Sequence, residues 1–298
     1  MGDMLLSGWD IWVIARELTT VGFYVATLMA VGGVLFRAAF PALPVAQQAR
    51  LERNSLVAAW SGIALALLLC PLHAAYLGGS SLTAAYDHML LRIVLQSAQG
   101  ERLYLSVAGL LLLQVALLGS RLPHLRATVG ILGILLVLVA FTLVGHTHGK
   151  PVLSGLLIAH LAMAAFWLAA LPPLFRLLHQ SSQDPLPSRQ LQRFSRLGAV
   201  MIAVLLMAGG VLAAWLLGGQ ATALWHSNYG RVLSLKLALI ALLLMLGGLN
   251  RWRLVPALAR GERHARRHLR LSIAGEGVLM ILVLLAAALL MNTRAPMA

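Results

Sequence analysis

The chain has 298 residues, 60% of them hydrophobic and 11% charged, whereas a soluble domain carries roughly 25% charged residues. This composition excludes a water-soluble globular protein, and the single cysteine, Cys70, excludes an internal disulfide. The net charge of +14 does not call for nucleic acid, because the basic residues gather in short segments between apolar runs, where insertion topology demands them.

Repeated apolar runs long enough to cross a hydrocarbon core of ~30 Å as helices predict an all-α, polytopic membrane helix bundle. Hydropathy gives eight transmembrane helices, at 13–36, 55–77, 103–119, 127–145, 153–175, 197–218, 231–250 and 270–291. The third is the shortest, and 90–97 reads as a helix near the interface. The whole chain, 1–298, is expected to form one integral membrane domain. Asp3 and Asp10 stand where a signal peptide would carry basic residues, so the N-terminus is expected to be retained.

Arginine and lysine set the expected orientation. The loops after segments 1, 3, 5 and 7 carry sixteen of them and the loops after segments 2, 4 and 6 carry four, Arg92, Arg102, Lys150 and Arg231. That bias puts the odd loops in the cytoplasm and both termini on the periplasmic side. Pro41 and Pro44 break the first loop, Gly149 and Pro151 tighten the fourth turn, Pro172 and Pro173 end segment 5, and 184–187 reads as an exposed linker.

The same orientation sorts the histidines. His73, His88, His146, His148, His160 and His226 fall in or near the outer half, and the other four lie among arginines at cytoplasmic ends. Segment 2 offers Cys70 and His73 on one helical face, with Pro71 between them able to kink the helix. A thiol and an imidazole there make a soft-metal step, or simply core. His146 and His148 flank Thr147 between Gly145 and Gly149, which allow the helix end to unwind and the rings to converge. The pair equally suits the membrane interface.

His160 lies in the apolar run that follows Pro151, and an imidazole at such depth needs a partner. Met163, three residues on, shares its face, and imidazole with thioether is a donor set copper accepts, the thioether favouring Cu(I). Against this, His160 can bond a carbonyl on a neighbouring helix while Met163 fills space. His226, in the loop before segment 7, can collect metal at the mouth or belong to the interfacial belt with Trp225 and Tyr229. Glu276, inside segment 8, needs a partner such as Asn250 or Arg251, or a proton. No nucleotide-binding or haem-attachment motif appears in its proper context, so ATP-driven transport by this chain alone is not expected.

Taken together, the run Val144-Gly-His-Thr-His148, then 159–167 ending in Phe166-Trp167, then Phe194-Ser-Arg-Leu-Gly198, then 229–237 with Leu249-Asn-Arg251 resembles the CopD/PcoD family of bacterial copper-resistance membrane proteins. The likeness covers about residues 140–292, and 1–139 mainly by hydropathy. One departure is Leu168-Ala-Ala-Leu171 after Trp167, where the family would have a glycine pair.

The resemblance implies an eight-helix protein of the bacterial inner membrane, not an enzyme. It implies copper taken from the periplasmic side toward the cytoplasm with a periplasmic CopC-type partner, with His146 and His160 at the family-like positions. With the donors read from the residues themselves, the expected metal set is His146, His148, His160, Met163, His73, Cys70 and His226. The competing reading is a b-type haem electron carrier or copper reductase, with two of these histidines as axial ligands.

Overall fold

A computed structural model describes residues 11–118, 123–145, 147–178, 186–218, 224, 227–262 and 264–292. Its elements are α1 (Ile11–Ala39), α2 (Val45–Leu77), α3 (Leu82–Ala85), α4 (His88–Leu95), α5 (Ala98–Leu118), α6 (Pro123–Ala140), α7 (Pro151–Leu177), α8 (Leu186–Leu216), α9 (Asn228–Leu249), a π-helical turn (Asn250–Leu254), α10 (Val255–Ala259) and α11 (Ala265–Asn292). No strand occurs among the described residues. The fold is all-α and polytopic, as expected.

Seven of the described helices are long and apolar enough to cross a membrane. The fourth expected segment is the exception. Its helix stops at Ala140, five residues before the apolar run ends, so this helix and not the third is the shortest of the eight. The physical reason is the turn that follows, where Gly145 and Gly149 take positive φ of 86° and 71°.

Other boundaries moved for reasons the structure makes plain. The helix expected at 90–97 starts at His88, because the Asp87 carboxylate accepts from Leu90 N at 2.9 Å and caps it. α5 begins at Ala98, so Arg102 is not a loop residue. It is 6% exposed, and its guanidinium lies 5.2 Å from the Phe23 ring centroid. Pro172 and Pro173 do not end α7 but sit inside it, since the helix runs on to Leu177. Prolines are tolerated within membrane helices where neighbouring groups satisfy the freed backbone. Of the linker expected at 184–187, residues 184 and 185 lie outside the described residues, and α8 starts at Leu186 with Pro187 in its first turn.

The chain divides into two compact units. The first is Met1–Ala30 with Ser55–Ser154, and the second is Val31–Asn54 with Gly155–Ala298. In the first unit α5 and α6 cross at a pair of glycines. A Cβ on Gly109 would meet Gly133 O at 2.8 Å, and one on Gly133 would meet Gly109 O at 2.9 Å. Without a hydrophobic force between helices in lipid, such close backbone approach is what draws them together. Phe23, Tyr24 and Phe141 pack nearby, with ring centroids 5.2 to 6.1 Å apart.

The second unit has its own aromatic core. Phe36 and Phe40 at the end of α1 stack at 4.4 Å, and Phe166 of α7 joins Phe36 at 5.6 Å and Phe194 of α8 at 6.2 Å. Arg37 pairs with Glu52 across the short turn containing Pro41 and Pro44. The tightest approach is Gly32 against α7, where a Cβ would stand 1.9 Å from Ala165 O.

Because that neighbour is backbone and cannot swing away, Gly32→Ala is expected to lower the thermal midpoint of the detergent-solubilised protein, by an amount matching about 1–3 kcal/mol. Gly210→Ala, whose Cβ meets nothing within 4 Å, should leave it unchanged or raise it slightly, since alanine is the better helix former. Equal midpoints for the two variants would contradict the packing described.

Candidate functional site

The turn from α6 to α7 carries the first expected ligands. Thr147 is buried and its carbonyl accepts from Lys150 N at 3.1 Å and from Ser154 Oγ at 3.2 Å. His148 beside it is exposed, and its backbone N–H closes back on Gly145 O at 3.4 Å. His146 lies outside the described residues, as does His226. The helix end unwinds as the two glycines suggested, and Pro151 opens α7 at its first position, where its missing N–H costs nothing.

His160 lies on α7 in the second unit, half-buried, with Nδ1 3.0 Å from Leu205 O of α8. A carbonyl can only accept, so Nδ1 carries the proton and Nε2 keeps its lone pair. A metal-binding histidine is commonly held in this way, one nitrogen tied to a carbonyl and the other aimed at the ion. The alternative foreseen for His160, a bond to a neighbouring helix, is therefore present, and it leaves Nε2 available.

Gly209 makes room for the ring, since a Cβ there would stand 3.0 Å from His160 Cε1 and 3.1 Å from Nδ1. Met163 is half-buried one turn along the same helix. Neither Leu205 nor Gly209 stood out in the sequence. The sole local signal is the pair Gly209-Gly210 in an apolar run, which does not say which neighbour fills the space.

Cys70 and His73 lie in the first unit and line one small cavity of about 20 Å³ with Gln99, Arg102 and Ser106. His73 Nδ1 sits 2.6 Å from Leu69 O, one turn back on its own helix, which again leaves Nε2 unprotonated. The Cys70 and His73 residues thus share this lining. The guanidinium of Arg102 shares their cavity, however, and its positive charge opposes a cation there.

Glu276 is 3% exposed on α11 and accepts two hydrogen bonds. Trp167 Nε1 of α7 donates to Oε2 at 2.9 Å, and Asn250 Nδ2 donates to Oε1 at 2.6 Å. Of the two partners the sequence offered, Asn250 is the one used. Arg251 instead donates to the backbone and hydroxyl oxygens of Ser195 on α8. Trp167 as a donor was not foreseen. Its indole is amphipathic, so burial alone explains its place, and only the partner on α11 reveals its role.

Among the described residues no group of three His, Cys, Asp or Glu side chains is placed to hold a metal ion. What the geometry offers is single imidazole nitrogens, fixed in orientation, within a set of helices able to span a bilayer.

Those features define a polytopic helical membrane protein. Its residues 188–290 match the family model for CopD, Copper resistance protein D. Copper resistance protein D of Pseudomonas syringae pv. tomato is 35% identical over 137 residues, covering 43% of this chain and 44% of that protein. The match thus spans less than half the length of that relative. No solved structure matches the chain. Residues 188–290 are thus similar to the CopD family, and the motifs at 194–198, 229–237 and 249–251 fall within the matched stretch. The motifs at 144–148 and 159–167 lie before the matched residues.

The Glu276 network makes its own prediction. Glu276→Leu strands the Trp167 and Asn250 donors in a buried setting, at about 1–3 kcal/mol for each group left unpaired, and should lower the thermal midpoint well below that of Glu276→Gln, which keeps one acceptor oxygen. Thermal unfolding in one detergent, followed by tryptophan emission, distinguishes them. Identical midpoints would mean the two bonds contribute nothing net.

Proposed function

We propose that this protein handles copper at the bacterial inner membrane without enzymatic turnover, taking the ion from the periplasmic side toward the cytoplasm. It would serve copper tolerance and homeostasis. The observation that carries this reading is His160, whose Nδ1 is committed to Leu205 O while Nε2 remains a free ligand inside a membrane helix. Copper resistance in the name of the similar protein supports the metal's identity.

An imidazole nitrogen joined by the Met163 thioether suits Cu(I) better than a harder ion. His146, His148 and His226 would supply further donors at the outer mouth, and a periplasmic copper-binding protein of the CopC type would deliver the ion. Cys70 and His73 take a lesser part, because Arg102 shares their cavity.

A second reading, a b-type haem carrier or copper reductase, draws on one specific feature. His73 and His160 each hold Nδ1 on a backbone carbonyl and keep Nε2 available, which is also the pose of an axial haem ligand.

The test is metal analysis with an optical spectrum of the purified full-length protein. Wild type is expected to retain copper and show no Soret band, and His160→Ala to lose most of that copper. Gly209→Val, which pushes a branched side chain into the imidazole ring, should lower copper content nearly as far while leaving every donor in place. A Soret band lost with His160 would overturn the copper reading in favour of haem. Copper content unchanged in both variants would remove His160 from the site.

A further inference from the structure

The second unit has a partly open cavity of about 360 Å³ whose lining does not include His160. It sits where α7 and α9 run out and α8 and α11 begin, and the Glu276 network forms one wall. The volume is within the range of small-molecule sites. Most of the lining is apolar, and three aromatic side chains, Trp167, Phe194 and Trp252, contribute to it.

The polar wall is specific in what it lacks. Asn250 is 9% exposed, its Nδ2 is spent on Glu276, and its Oδ1 has no hydrogen-bond partner among the described residues. A buried acceptor left in this state costs free energy that a ligand's donor would recover. Asn250 is also the first residue of the π-helical turn, and Arg251, the second, lines the same cavity. Single π-helical turns within α-helices are rare and occur frequently at functional sites.

Charge decides the ligand's class. Glu276 and Arg251 both line the cavity, but Glu276 already holds the Trp167 and Asn250 donors and Arg251 is bonded to Ser195, so neither is left to pair with a charged ligand. Aromatic walls suit a flat ring, and Asn250 Oδ1 requires a donor.

We propose that this cavity binds a neutral ring-bearing molecule of the phenol or quinol class, whose hydroxyl donates to Asn250 Oδ1 while the ring packs among Trp167, Phe194 and Trp252. The inference does not depend on copper handling, because His160 is not part of the lining.

The test uses the full-length protein in lipid nanodiscs with two probes of nearly equal size, 2-naphthol and 2-methoxynaphthalene, measured by equilibrium dialysis against empty nanodiscs. Wild type is expected to bind the naphthol about tenfold or more tighter than its methyl ether, the factor set by one buried acceptor left unpaired. Asn250→Leu should erase that preference. Because this variant also removes a donor from Glu276 and can unfold the protein, Gly198→Leu provides a second measure. Gly198 lines the cavity with nothing within 4 Å of its Cβ position, so leucine fills the space without touching the polar wall, and naphthol binding should fall at least tenfold. Equal binding of both probes to wild type, or uptake no greater than that of empty nanodiscs, would identify the cavity as lipid-filled space and overturn the proposal.

Discussion

A polar side chain inside hydrocarbon has no water to turn to, and in this protein that constraint fixes much of what can be called a site. A polar group within the spans is costly unless it finds a partner on another helix, on its own backbone or on an aromatic face. Arg102 lies against the Phe23 ring, Glu276 takes both donors from Trp167 and Asn250, and His160 reaches Leu205 O. The last two sets of bonds also tie α7 to α8 and to α11, and α11 to the π-helical turn, so the groups that look most functional help to hold the second unit together.

That double role explains why candidate ligands and structural residues are hard to separate in such a chain. His160 illustrates it best. The bond to Leu205 removes the cost of burying the imidazole, and by fixing the tautomer it leaves Nε2 as a base. The structural role and the proposed ligating role would use different nitrogens of one ring and do not compete. At Cys70 and His73 the outcome differs, since Arg102 enters the same small cavity and sets its charge against a cation.

Much of the second unit's polar chemistry gathers toward the end where arginines are frequent. Asn250, Arg251, Ser195 and Glu276 come from three separate segments, yet all line one cavity. Three of the segments that carry the family likeness, 159–167, 194–198 and 249–251, each send at least one residue into that lining, namely Trp167, the pair Phe194 and Ser195 with Gly198, and Asn250 with Arg251. Residues that read along the chain as unrelated signatures therefore share one surface.

Hydropathy alone determined the all-α polytopic class and the centres of the apolar helices, because the need for some twenty apolar residues to span a bilayer is written directly in composition. Turn chemistry was legible at the α6–α7 turn, though not at Pro172 and Pro173, which sit inside α7. Gly145, Gly149 and Pro151 act through their own backbones, and their effect does not depend on what lies across from them. Helix ends set by capping or by buried charge were less so, as Asp87 before α4 and Arg102 inside α5 illustrate. Only the tertiary structure decided that Glu276 pairs with Asn250 and Trp167 and not with Arg251, that Leu205 orients His160, and that Gly209 makes space for its ring. The periodicity of a helix says which residues share its face, but not which helix that face meets, and a hydrogen bond between residues 45 or 109 apart leaves no local trace.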